Sequence, residues 1–298
     1  MLKNEKYSKI EEAFNNTIIK EEALTDMVTL LSFSDSKIII KKVNKKTKNI
    51  YDFLASQKVD DILYPSKQFV IDKEIFFAYK YVNDYEYPSE KKINDLINTV
   101  HELHKKTGFT VRLNDINFKF FYRIYKKLDT IFQTLEMFVR ECENKKEKTD
   151  FEWIILSKYH IFLSVKKLMY QIQRKIHKYV DNHGSVIYVL NHGNLTLNHY
   201  IQKKLLSFDN GYIGIFVSDY AKLYVSLDDI EGEYFKEIDD KLSSYENDFY
   251  KLYFKFLVLY IYIINLKFSS FDNHTVLNTY IQITNKINRF LTLTSNYQ

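Results

Sequence analysis

The sequence contains few glycines and prolines, which interrupt helices, and few cysteines, which stabilise small domains through disulfides. Its 298 residues include one cysteine, six glycines and two prolines. The single cysteine, Cys142, has no partner within the chain, which excludes a disulfide scaffold and permits a reducing compartment. Scarce glycine and proline, together with long stretches of apolar residues at a period of 3.6, favour a helix-dominated fold with a minor sheet.

Long apolar runs are also missing. The most apolar stretch, FLVLYIYIINL from Phe256 to Leu266, is about half of the roughly 20 residues that a membrane span needs. The N-terminal segment MLKNEKYSKIEEAFNNTIIKEEAL alternates charged and apolar residues at helical spacing and lacks the apolar core of a signal peptide. We therefore expect an N-terminal helix, no membrane span, no signal peptide and a cytoplasmic location.

The charge of the chain is mildly positive and evenly mixed. Formal net charge is +5, from 43 basic and 38 acidic residues that are interleaved along the sequence. The 25 tyrosines and 23 phenylalanines could stack on bases, so a nucleic-acid-binding helical protein is one hypothesis. Because the single dense basic cluster, KKVNKKTK, is short, we do not expect nucleic acid as a partner.

The first third of the chain carries the signals of a small sheet. MVTLLSF and KIIIKKV are apolar runs separated by the turn-forming residues Ser34 to Ser36, which predicts a hairpin. KNIYDFLASQKV has the spacing of a short amphipathic helix. KQFVIDKEIFFAYKYV predicts a second hairpin with its turn near Asp72 and Lys73. We therefore expect residues 26–82 to form a small antiparallel sheet with one inserted helix.

The remainder is predicted to be mostly helical. NDYEYPSE interrupts the periodicity before the helix KKINDLINTVHELHKKTG, which closes at Gly108. Two or three helices are expected between residues 118 and 180, short strands between 186 and 224, and further helices to the end. The prediction is an α+β, bilobal fold, with an N-lobe over residues 1–86 that includes the N-terminal helix and a larger, mostly helical C-lobe over residues 87–298.

Residues 191–229 carry the pattern with chemical content. HGNLTLNH begins at His192, and FVSDYA places Asp219 twenty residues after His199. Together with the order of small sheet, hinge and helical lobe, this resembles the aminoglycoside phosphotransferase and choline kinase superfamily, which shares the protein-kinase fold. The family motif there is HGD, four residues and N, followed about twenty residues later by an aspartate and about ten further on by another. The residues around this motif look most like those of the spore-coat kinase-like proteins of the CotS type.

The resemblance implies a role for each position and shows where this chain departs from the motif. Asn194 stands where the family has its base aspartate, and His199 stands where it has its metal-binding asparagine. Asp219 matches the metal-binding aspartate, and Asp228 or Asp229 matches the distal one. His192 is expected to be structural, bonding nearby backbone. Since an amide accepts no proton at neutral pH and magnesium prefers oxygen to nitrogen ligands, Asn194 and His199 make a degenerate, weak site.

The nucleotide side of the site is equally reduced. No glycine occurs before Gly108, so the chain lacks the glycine-rich loop through which backbone approaches phosphates. The resemblance implies a phosphate lysine at Lys41 or Lys42, and the sequence leaves open which. The following helix offers only Asp52 as an acidic partner for it.

Two functions remain besides nucleic-acid binding. The leading hypothesis is a pseudokinase that acts as a binding or scaffold component with protein partners. The CotS-type resemblance implies the coat of a bacterial spore as its setting and coat proteins as those partners. The alternative is an active small-molecule phosphotransferase with an altered metal site, because positioning and charge matter more than proton removal in phosphoryl transfer. No cofactor is expected for the first function, and ATP with magnesium is expected for the second.

Overall fold

The chain has an α+β fold, with a five-stranded antiparallel sheet in its N-terminal part and helices in most of the rest. The computed structural model describes residues 5–84, 88–114, 118–227, 232–266 and 274–295. These residues form two compact units. The first unit contains the described residues up to Thr107 together with Leu190–Ile213, and the second contains Gly108–Val189 and the described residues from Gly214 onward.

The first unit is built on the predicted sheet, which has one strand more than expected. Helix α1 (Glu5–Phe14) precedes strands β1 (Lys20–Thr25), β2 (Val28–Ser32) and β3 (Lys37–Val43). Helix α2 (Lys45–Ser56) is followed by β4 (Lys67–Ile71) and β5 (Glu74–Lys80), and the strand order is β1-β2-β3-β5-β4. Alternate residues of the strands are buried against α1 in one apolar cluster, formed by Ile10, Leu31, Phe33, Ile38, Ile40, Ile71, Phe76 and Ala78.

Both predicted hairpins and the inserted helix are confirmed. Phe33 donates its N–H to the Ser36 carbonyl at 2.8 Å and closes the β2–β3 turn. Asp72 and Lys73 have positive φ angles of 51° and 66°, as the tight β4–β5 hairpin turn requires. The helix α2 begins after Asn44, whose side-chain oxygen accepts the Thr47 N–H at 2.8 Å.

The predicted N-terminal helix is too long. The helix α1 ends at Phe14, Asn15 adopts a positive φ of 50°, and residues 20–25 pair with β2 as an edge strand. All six residues of β1 are exposed, so the strand has no apolar alternation by which the sequence could have revealed it.

The end of the first unit holds the loop predicted to carry the chemistry. Helix α3 (Ser89–Thr107) is the predicted helix, and Thr107 accepts through its hydroxyl the N–H of Leu190 at 3.2 Å. The loop that follows Leu190 contains a 3₁₀ turn (Leu197–His199), the two-residue strands β8 (Tyr200–Ile201) and β9 (Lys204–Leu205), and a second 3₁₀ turn (Phe208–Asn210). Tyr200 also hydrogen-bonds Thr99 of α3 at 3.0 Å. The loop is therefore fastened to α3.

The second unit is helical apart from short strand segments. Strand β6 (Phe109–Arg112) pairs antiparallel with β7 (Ser185–Asn191), and β10 (Tyr212–Ile215) leads into α6 (Val217–Leu227). The other helices are α4 (Lys119–Asn144), α5 (Asp150–Asp181), α7 (Glu233–Ser243), α8 (Asp248–Ile264) and α9 (His274–Leu293). The apolar α8 packs against α4, α5, α6, α7 and α9, so it is the central core helix of this unit. Within the described ranges, no helix has the length and apolar character that a bilayer span requires.

Two features of the second unit bear on the predictions. Residues 217–224, expected as part of a run of short strands, belong to α6 instead. Lys255 of α8 is buried, and its ammonium donates to the Thr294 carbonyl at 2.8 Å, just after the last residue of α9. In the division into two compact units, α3 and the loop are grouped with the sheet. The predicted lobe boundary stays a prediction.

Candidate functional site

Lys41, on β3, is the lysine that meets the loop. Its side chain is 16% exposed, forms an ion pair with Asp209 and donates to the Ser207 hydroxyl at 3.2 Å. Lys42 is 40% exposed and pairs instead with Glu74 on β5. Successive residues of a strand face opposite sides, so only one of the two lysines can reach the loop.

Asp209 is the carboxylate that Lys41 contacts, and no pattern in the sequence predicted it. It lies in the 3₁₀ turn Phe208–Asn210, ten residues after His199 and ten before Asp219. The preceding Ser207 has left-handed backbone angles, φ 67° and ψ 57°, which are uncommon for a residue with a side chain. Strained backbone conformations of this kind are found at active sites and at ligand-binding loops.

The helix α2 supplies a tyrosine, not a carboxylate, beside this pair. Tyr51 is buried, its ring lies edge-on to Phe208 with centroids 5.9 Å apart, and its hydroxyl lies beside Tyr79 and the Ser207 backbone. Burial raises the pKa of Tyr51, and the Asp209 carboxylate adds to the effect. Asp52, the expected partner of the lysine, pairs with Lys48 one turn earlier on the helix surface.

The start of the loop is held by backbone contacts. The His192 ring is buried, with Nε2 2.7 Å from the Leu206 carbonyl and Nδ1 3.4 Å from the N–H of Asn194. Gly193 has a φ of 81°, and a Cβ there would lie 2.1 Å from the Asn210 carbonyl oxygen. The loop and the turn that carries Asp209 are therefore in backbone contact, which only glycine at this position allows.

Asn194 and His199 present weak chemistry. The Asn194 side chain is exposed and has no hydrogen-bond partner among the residues that the structure describes. The His199 ring lies with Nδ1 3.0 Å from the Thr196 hydroxyl and its centroid 5.2 Å from that of His192. Burial lowers the pKa of His199, and the His192 ring lowers it further, while a hydrogen bond with the Asn194 backbone opposes the shift.

Asp219 belongs to the second unit. It is fully buried in the first turn of α6, and its N–H donates to the Phe216 carbonyl at 3.2 Å. The turn that was expected to bind metal is therefore the start of a helix. Burial lowers the pKa of the nearby Lys222, an effect that the Asp219 carboxylate opposes. Asp228 and Asp229 lie outside the described residues. The metal-binding role predicted for Asp219 remains a prediction.

The first hairpin of the sheet, β1–β2, has no glycine in its turn. Its turn is Asp26 and Met27, and Met27 is 51% exposed. The Met27 carbonyl accepts the N–H of Lys42 at 2.9 Å. A turn without glycine keeps side chains between its backbone and any phosphate, and the Asp26 carboxylate would repel one.

The residues of the first unit do not fit a magnesium ion well. Asp209 offers one hard oxygen ligand group, which is engaged by Lys41, and His199 offers a nitrogen where magnesium prefers oxygen. Among the described residues there is no group of three or more histidine, cysteine or acidic side chains that could hold a metal. The arrangement can neutralise one anionic group through Lys41, and it supplies little of what a metal-bound triphosphate needs.

Comparison with known proteins supports the fold. No protein-family model and no curated protein matches this sequence. The solved structure of an aminoglycoside phosphotransferase from Alicyclobacillus acidocaldarius is similar at a TM-score of 0.66 and 12% identity, over 94% of this chain and 92% of that one. Spectinomycin phosphotransferase APH(9)-Ia, in complex with ADP and spectinomycin, gives 0.54 and 10% over 95% and 98%. At such identities the likeness concerns the fold alone, and the chain therefore has the protein-kinase-like fold of the aminoglycoside phosphotransferases.

Proposed function

We propose that this chain is a pseudokinase, a kinase-like protein that binds a partner and does not transfer phosphoryl groups. The observation that carries the proposal is the exposed amide of Asn194 at the position of the family's base. A positioned general base contributes about 10²- to 10⁴-fold to a rate, and an amide cannot act as one at neutral pH. The engagement of the Asp209 carboxylate by Lys41 and the turn at Asp26, which lacks glycine, support the same conclusion.

A second candidate is an active phosphotransferase with an altered metal site. The Lys41–Asp209 ion pair favours it, because a strand lysine and a loop carboxylate are the charged groups with which kinases hold phosphates and metal. In that case the substrate hydroxyl would attack without a strong base, and ATP and a divalent cation would be required. For the pseudokinase no cofactor is needed.

The cellular setting is proposed from the resemblance of residues 191–229 to CotS-type proteins. It implies the spore coat, with coat proteins as partners, and a cytoplasmic origin. Immunoblots of purified spore-coat extracts and of mother-cell cytoplasm from the source organism test this. A chain confined to the cytoplasm throughout sporulation would contradict the spore-coat setting and leave the pseudokinase proposal intact.

The enzymatic question is decided with three variants. Asn194→Asp with His199→Asn restores the family residues at both positions. Asp209→Ala removes the carboxylate that Lys41 meets, and Glu74→Ala is its matched control because it removes the carboxylate of Lys42. Each protein is assayed for ATP turnover and for its melting temperature with and without magnesium and ATP.

We expect no turnover and no thermal shift for the unmodified chain. A nucleotide at 100 times its dissociation constant stabilises a protein by about 2.7 kcal/mol, so binding would be visible. A shift that arises only in the double variant would show that the frame can bind nucleotide and that the two substitutions silence it. Turnover by the unmodified chain that Asp209→Ala abolishes and Glu74→Ala preserves would overturn the proposal in favour of the active enzyme.

A further inference from the structure

A groove of about 600 Å³ lies along α2, and every residue that lines it belongs to the first unit. One wall is formed by α2, from Lys45 to Phe53, and the other by the start of β10, with Ile213. Phe53 is 37% exposed and Ile213 is 47% exposed. Two large apolar side chains thus face solvent across one concave surface.

The floor of this groove is close-packed. Gly211 lies there, and a Cβ on it would meet the Ile50 Cδ1 at 3.0 Å and the Phe208 carbonyl oxygen at 3.1 Å. Ile50 itself is buried. The helix is therefore seated directly on the backbone of the turn that carries Asp209, and the groove is a preformed feature of α2 and β10.

The charge at the end of the groove is of one sign and is not compensated. Lys45 and Lys46 line it, both are exposed, and neither forms an ion pair with any residue that the structure describes. Lys48, one turn further on, does pair with Asp52. The first turn of α2 contains no acidic residue.

These two lysines are in an unfavourable place. The N-terminus of a helix carries partial positive charge, and anionic groups are stabilising there while cations are not. Neither lysine has an acidic ion-pair partner among the described residues to offset this repulsion. An anionic group from outside would meet two ammonium groups and the helix N-terminus together.

We infer that this groove binds an acidic amphipathic segment of a partner protein. Its apolar side chains would lie against Phe53 and Ile213, and its carboxylates would face Lys45 and Lys46. Amphipathic helices commonly bind hydrophobic grooves in this way. The inference rests on the proposed function as a binding protein and names the chemistry of its partner.

The test is a selection of displayed random peptides of about 16 residues, about four helical turns, on the immobilised full chain. We expect the enriched peptides to carry net negative charge and at least two large apolar residues. Their affinities are then measured on Lys45→Glu with Lys46→Glu and on Ile213→Asp. Each should weaken binding at least about tenfold.

Matched controls come from α4. Lys126→Glu with Lys127→Glu changes the same charges in an exposed lysine doublet that forms no ion pair with any described residue, and Met137→Asp changes an exposed apolar residue. Both should leave affinity within about twofold. Circular dichroism and melting curves confirm that every variant is folded.

Several results would overturn the inference. They are the absence of enriched peptides, enrichment of basic peptides, or peptides that bind the groove variants as well as the unmodified chain. Laurate and a 5′-phosphorylated oligothymidylate serve as further probes. Groove-dependent binding of either one, tighter than that of the best peptide, would assign the site to a small amphiphile or to nucleic acid. ATP turnover is measured separately, so failure of the pseudokinase proposal and failure of the groove are distinguishable.

Discussion

Reversing the charges of Lys45 and Lys46 should stabilise the free protein. These are the first two residues of α2, and Asn44 caps the helix in front of them. Two glutamates in their place would turn two unfavourable interactions with the helix N-terminus into favourable ones. A variant that loses partner binding while gaining stability would separate a binding role of these lysines from a structural one.

The size of the effect follows from the exposure of the two side chains. At an exposed site a charge near a helix end contributes about 0.3 kcal/mol at low ionic strength. At each of the two positions, charge reversal removes one unfavourable interaction and adds one favourable interaction of this size, which gives about 1.2 kcal/mol in total. At about 2.1 cal/mol/K per residue the unfolding entropy of 298 residues is about 0.63 kcal/mol/K, so we expect the melting temperature to rise by about 2 °C. Replacement of both lysines by glutamine should give about half of that.

The assay is differential scanning calorimetry of the unmodified chain, the glutamine variant and the glutamate variant at low salt and in 1 M sodium chloride. At 1 M the screening length is about 3 Å, so the differences should shrink. Lys126→Glu with Lys127→Glu lies in the third turn of α4, beyond the reach of the helix end, and should shift the melting temperature little. A glutamate variant no more stable than the unmodified chain, or a gain that persists in high salt, would refute the electrostatic argument.

Three further predictions concern single residues. Gly193→Ala should cost at least about 2 kcal/mol by denaturant unfolding, because its Cβ would strike the Asn210 carbonyl. Ser207→Gly should gain about 1 kcal/mol by relieving a φ of 67°, and no gain would mean that the Lys41 bond offsets the strain. Burial lowers the pKa of Lys255 below the 10.5 of an unfolded chain, so the folded state binds the proton less tightly. The unmodified chain should therefore gain stability relative to Lys255→Met between pH 7 and about 10, the window below the unfolded pKa. A difference in unfolding free energy that is the same at both ends of that range would contradict this.

Much of the first unit was predictable because its signals are local. Strand β3 alternates buried and less buried residues, with Ile38 and Ile40 on the core side, and the turns at residues 34–36 and 72–73 have turn-forming compositions. The edge strand β1 lacked such a signal. Its sequence, KEEALT, is wholly exposed, and only the backbone partner β2 makes it a strand. A helix was the natural prediction from periodicity alone.

The choice between Lys41 and Lys42 could not be made from sequence. Both lie near the end of β3, and a shift of one residue in its pairing would exchange the faces on which they lie. The observed pairing sets Lys41 opposite Phe77 and Lys42 opposite Phe76 of β5. Phe76 belongs to the apolar cluster beneath the sheet, whereas Phe77 packs against Tyr51 with ring centroids 5.3 Å apart. The packing of β5 therefore determines which of the two lysines faces the loop.

The position of the loop carboxylate was hidden by a hairpin of unusual composition. Between His199 and Asp209 the chain makes two strands of two residues each, joined at Gln202 and Lys203 with positive φ angles of 48° and 62°. Such a turn is normally marked by glycine or asparagine, and neither is present, so nothing in the sequence announced that the chain reverses there. Without the reversal, the aspartate twenty residues after His199 was as good a candidate as the one ten residues after it. The distinction depends on a contact with Lys41 across 168 residues, and the hairpin that creates it has no apolar period and no turn signature.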